Sequence, residues 1–91
     1  MSEQTVQPPV AGDIPVQYFE GIPCLDLRQV TTPPKPLIAI IELIEREQTG
    51  DIVHVLMSRD PINLYPELVE RGWTWTKQLT EDGSLRLILS H

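Results

Sequence analysis

The chain holds a single cysteine, Cys24, among its 91 residues. No internal disulfide is open to it, so packing must supply the stability, which suits a reducing compartment and gives cytoplasmic localisation as the expectation. Basic residues are scarce too: seven Lys and Arg stand against thirteen Asp and Glu, a formal net charge of −6. Binding to a nucleic-acid backbone needs clustered cations that neutralise phosphates, so nucleic acid is not expected as a partner. The longest apolar stretch, residues 36–44, is interrupted by Glu42 and falls far short of the roughly 20 residues that span a bilayer. No membrane association is expected. The opening residues lack the basic start, apolar run and cleavage site of a signal peptide. The only histidines are His54 and His91, and no closely spaced ligand pair of the Cys-x-x-Cys kind occurs. No metal and no other cofactor is therefore expected.

What is present fits one small domain with one core. Residues 1–17 carry Pro8, Pro9, Gly12 and Pro15 with few large apolar groups. Such a composition buries too little to offset its ordering entropy, and it predicts a disordered tail. Residues 18–91 form the expected domain, with Tyr18, Phe19, Ile22 and Pro23 as an apolar lead-in on its edge.

Regular patterning starts at Cys24. Residues 24–28 alternate apolar and polar, which predicts a strand with Leu25 and Leu27 buried. Pro36 suits a first helical turn, and Leu37, Ile40, Ile41 and Ile44 then form a core-facing stripe with Glu42 and Arg46 paired outside. Gly50 reads as the stop of that helix, and residues 52–57 as a second strand. Pro66 sets a short second helix with Asn63 as N-cap and Arg71-Gly72 as its end. Alternation over residues 73–77 and 85–89, around Glu81-Asp82-Gly83, predicts a closing hairpin. The expected fold is thus an α/β two-layer sandwich, β-α-β-α-β-β, in which a four-stranded mixed sheet carries both helices on one face.

Leu25-Asp26-Leu27-Arg28, the proline-rich helix start from Pro33 to Leu37, and Gly50-Asp51 before an apolar strand together resemble the TusA/SirA family of sulfur carriers. Ser58-Arg59-Asp60-Pro61, Leu64-Tyr65-Pro66 and Arg71-Gly72-Trp73 resemble more narrowly its DUF2249 branch. The resemblance implies the carrier fold. Carriers place a Cys-Pro-x-Pro motif at the first helix, where the helix dipole favours a thiolate. Here Pro33-Pro34-Lys35-Pro36 stands in that place, and proline has no nucleophile.

Cys24, on a strand, is read as a packing residue, and a sulfur relay or redox role through it is the alternative. His54 and Cys24 are expected near each other on the helix-free face. Trp73 and Trp75 are expected beneath the helices, the other possibility being an exposed protein-binding patch. Arg28, Lys35, Arg59 and Arg71 can converge into a basic patch, and Arg59, Asn63, Tyr65 and Arg71 surround the second helix. These six residues are the candidate anion-binding group. The competing structural reading pairs Arg59 or Arg71 with a carboxylate such as Glu67 and leaves Asn63 as a cap. The functional expectation is a non-catalytic module that binds a small anionic ligand or a partner protein, as a monomer or weak dimer.

Overall fold

The computed structural model of the chain describes residues 10–12, 14–30, 35–46 and 50–91. The elements run β1 (Val10–Ala11), β2 (Ile14–Pro15), β3 (Gln17–Phe19), β4 (Ile22–Asp26), α1 (Lys35–Ile44), β5 (Ile52–Met57), α2 (Tyr65–Glu70), β6 (Thr74–Leu79) and β7 (Leu85–Ser90). β1 and β2 form a two-stranded ribbon, and the remaining strands form a five-stranded sheet of order β3-β4-β5-β7-β6. β4 and β5 are parallel, joined by the α1 crossover, while every other pairing in the sheet is antiparallel.

The expected strand-helix-strand-helix-strand-strand order is present, and β3 extends the four-stranded sheet to five. β3 and β4 meet at Glu20-Gly21, both with positive φ (53° and 82°), which is the pattern of a tight hairpin turn whose twist matches its strands. β4 starts two residues earlier than the alternation predicts, because this turn sets its register. Leu27 stays tied to the sheet through a bond from its N–H to the Leu56 carbonyl at 2.8 Å.

Leu25, Val53, Val55, Leu87 and Leu89 project from one face of the sheet into a single core with Ala39, Ile40 and Leu43 of α1, and with Leu64 and Leu68 at α2. Both helices therefore cover the same face. The buried arc of α1 runs through Ala39, Ile40, Leu43 and Ile44, while Leu37 and Ile41, expected inside, are only partly buried. The helix is rotated by roughly a quarter turn from the simple stripe. The ribbon explains the rotation. β1 lies against α1, and a Cβ added at Gly12 would come within 3.0 Å of the Ala39 backbone.

The ribbon also corrects the expected tail. Residues 1–9 lie outside the described residues, but over residues 10–17 Ala11 and Val16 are part of the core. Two small apolar side chains suffice there because they fill a gap beside a helix and need not build a core of their own.

Helix ends differ from the sequence pattern for local reasons. α1 stops at Ile44, ahead of Gly50, which has φ 87° and leads toward β5. Glu42 and Arg46 pair at 2.9 Å as expected. The N-cap of α2 is Leu64, without a side-chain cap, and Asn63 stands exposed in the turn before it. Burial of Leu64 decides the geometry, since its side chain must enter the core. At the other end the Gly72 N–H donates to Val69 and the Trp73 N–H to Leu68. This paired closure, with Gly72 at φ 79° and Trp73 packed in the same core as Leu68, is a Schellman end.

Candidate functional site

Where the parallel strands β4 and β5 end, the chain leaves toward α1 and α2 and a pocket of about 260 Å³ opens between those departures. Prolines shape it. Pro36 lies in the first turn of α1, and Pro61 begins the turn before α2, its carbonyl accepting the Leu64 N–H at 2.9 Å. Leu27, Val30, Leu37, Ile40, Met57 and Leu64 supply apolar walls, and the exposed residues Ser58, Arg59, Asp60 and Asn63 supply the polar mouth. A concave, mainly apolar site at the carboxyl ends of parallel strands is a common ligand position in α/β proteins.

The polar mouth is not electrostatically uniform. Asp60 accepts a hydrogen bond from the Tyr65 hydroxyl and an ion pair from Lys77 Nζ at 3.1 Å. The Tyr65 hydrogen bond, then Lys77, holds the Asp60 carboxyl below the usual carboxylate range. Burial, reinforced by Asp60, pushes the Tyr65 hydroxyl well above its ordinary value. Tyr65 in turn stacks on Trp75, with centroids 4.5 Å apart and planes within 10°, and Lys77 lies 5.3 Å over the Tyr65 ring. Asp60 is thereby committed to the α2 and β6 side. Arg59, next to it, has no ion pair among the described residues.

The six sequence candidates separate. Arg59 and Asn63 both line the pocket, and Tyr65 fixes its wall through Asp60. Lys35 is exposed at the start of α1 beside the pocket residue Pro36. Arg28 is diverted: its guanidinium binds Asp26 at 2.6 Å and Asp82 at 3.1 Å, and these carboxylates raise its pKa. Arg71 is diverted likewise, to Glu67 at 2.8 Å and Glu45 at 2.9 Å. The four-membered basic patch is therefore not assembled, whereas the Arg71–Glu67 pair that the sequence offered as the structural reading is formed. The apolar walls, Val30 and Met57 in particular, were missed as site residues. Their signal was available: an apolar residue at the last position of a parallel strand or just beyond it can face a crevice as readily as a core.

Trp73 is buried and Trp75 partly so, on the helix side of the sheet as expected. Cys24 and His54 are register partners on the other face. Burial pushes the Cys24 thiol above its ordinary value, opposed by Arg86 and seconded by Asp26. Among the described residues no group of three or more His, Cys, Asp or Glu gathers as a metal site. The substituted motif positions Pro33 and Pro34 lie outside the described residues. Among the described residues no helix is long and apolar enough to cross a membrane. Comparison of the chain with protein-family models, curated proteins and solved structures gives no match.

Proposed function

We propose that the chain is a non-catalytic binding module, on a scaffold of the TusA/SirA kind, that receives a small anion with an apolar body in the pocket at the ends of β4 and β5. The observation carrying this reading is the Arg59 guanidinium, without an ion pair among the described residues, at the mouth of an apolar pocket. An apolar body gains from leaving water, and a charged head gains from a charge-assisted hydrogen bond. Lys35 adds positive potential from the α1 side. Among the described residues the pocket lining has no histidine, cysteine or lysine, and its one hydroxyl, Ser58, has beside it only a carboxylate already held by Tyr65 and Lys77. Nucleophilic chemistry needs an adjacent free base, so binding is the better reading. Sulfur relay through Cys24 is weaker, because burial disfavours the thiolate that such chemistry uses.

The test is an NMR titration with straight-chain carboxylates. Hexanoate should move amide signals of Met57, Ile62 and Asn63, and should bind more tightly than acetate because each buried methylene contributes about 0.8 kcal/mol. Arg59→Gln should weaken hexanoate by about tenfold or more, the scale of one hydrogen bond to a charged group. Unmoved pocket signals at millimolar hexanoate, or equal affinity in the variant, would overturn the reading.

A further inference from the structure

The face of the sheet turned away from the helices has no covering layer among the described residues, yet it is not a polar face. A solvated sheet side is ordinarily polar. Here Ile22 and Cys24 of β4, Ile52, His54 and Leu56 of β5, and Ile88 of β7 occupy its middle, with Ile52 43% exposed and the half-buried His54 between Cys24 and Ile88. Toward one edge the face turns polar through Thr74, Thr76 and Gln78 of β6. A mainly apolar middle, holding one imidazole, with a polar border is the layout of an interaction surface.

The charges on this face decide what it fits. Register places Asp26, Leu56 and Arg86 in one row across β4, β5 and β7. Arg86 is exposed and makes no ion pair among the described residues. Asp26 is held by Arg28, which also holds Asp82, so two carboxylates share one guanidinium and a negative charge is left over. A matching partner must present a mainly apolar middle with the order of charges reversed. A second copy of this chain does so when turned about a two-fold axis that runs along β5. β4 of each copy then lies over β7 of the other. Asp26 comes opposite Arg86 twice, Cys24 comes opposite Ile88, and on the axis Leu56 meets Leu56 and the His54 imidazole meets that of the other copy, two groups that can share a hydrogen bond while neutral. The strands of the two sheets keep nearly the same direction, as in aligned sheet-on-sheet packing. A symmetric dimer needs this self-complementarity.

We propose that two copies of the chain associate face to face through the open side of the sheet, with Leu56 on the two-fold axis and the Asp26 and Arg86 ends of the row exchanged between copies. The helix layer and its pocket remain outside the interface, so the proposal is independent of ligand binding there.

Sedimentation equilibrium of the full chain, over a concentration series up to millimolar, reads the association directly. The wild type should fit a monomer–dimer equilibrium. Leu56→Lys places two ammonium groups together on the axis and should give a monomer at every concentration. Arg86→Glu alters an exposed side chain, so the fold should persist by circular dichroism while a carboxylate now opposes Asp26, and the dimer Kd should rise about tenfold or more. Isotope-filtered NOEs between copies should connect Leu56 methyls to each other and Cys24 to Ile88. A wild type that stays monomeric to millimolar, a dimer unchanged by Arg86→Glu, or intermolecular NOEs at the helices would each overturn the proposal.

Discussion

The two faces of the sheet are built from the same strands, and residues that adjoin in sequence live under different physical rules. On the helix side, Val53, Val55, Leu87 and Leu89 are fully buried. One residue along, His54, Leu56 and Ile88 are only half-covered, and Arg86 is exposed. The covered face derives its energy from close packing, where a lost methylene leaves a void. The open face gains little within one molecule, so side chains there are under weaker constraint from the fold and freer to serve association. Hydrophobicity alone does not distinguish the two: Leu87 and Ile88 are nearly equal in it.

That difference is sharpest in neighbouring substitutions. Leu87→Ala should cost about 2 to 5 kcal/mol in urea denaturation, while Ile88→Ala should cost under about 1 kcal/mol at concentrations where sedimentation shows a monomer. Equal losses would mean that the open face carries a covering layer of its own.

Trp75 tests the edge of the covered face, where helix packing gives way to solvent. Trp75→Ala removes the stack on Tyr65 and should cost about 2 kcal/mol, more than the open face and less than the full core. The same change should loosen the Tyr65 hydrogen bond to Asp60 and let the Asp60 carboxyl rise toward its ordinary pKa, as read by NMR titration of that carboxyl. An unmoved Asp60 would show that Tyr65 is held by α2 alone.

The smallest effect belongs to Asp26, a titrating group on the open face. The hydrogen bond from Arg28 lowers its pKa in the folded chain below the ordinary value of 3.8. A group depressed on folding contributes stability above its unfolded pKa and loses it as pH falls through the folded value. The stability profile should therefore decline below about pH 4, and Asp26→Asn should flatten that limb by under about 1 kcal/mol, since the pair is partly screened by solvent. A limb unchanged by the substitution would assign the acid sensitivity to Asp60 and Asp82, whose carboxyls are also held low.

Much of the covered face was readable from sequence, because strand alternation reports burial directly. β5 has the predicted bounds, and Met57 faces inward with Val53 and Val55. The buried arc of α1 differs from its apolar stripe for one reason, that a ribbon of residues 10–15 packs beside it. Periodicity reports how apolar residues are spaced but not how many sides of a helix are covered. The ribbon left no signal because Ala11 and Val16 are small and Pro15, with Pro8 and Pro9 before it in sequence, reads like part of a disordered segment. That Arg59 and Asn63 stand close together was legible, and both line the same pocket. The diversion of Arg28 and Arg71 from that pocket was half legible: Asp26 and Glu67 lie close in sequence, but Asp82 and Glu45 are brought in by the fold alone.

The contact between Gly12 and Ala39 ties the amino acid choices at two distant positions together. Gly12 adopts φ 54°, a conformation that other residues rarely take, and stands against the Ala39 backbone with no room for a methyl group. Ala39, taken by itself, is simply a good helix former. Its smallness is also a condition imposed by the ribbon, and a larger residue at either place would lift β1 and uncover the flank of α1. Sequence drift at these two positions is thus coupled through space. A descendant of this chain could enlarge one of them only after abandoning the ribbon, and with it the rotated helix.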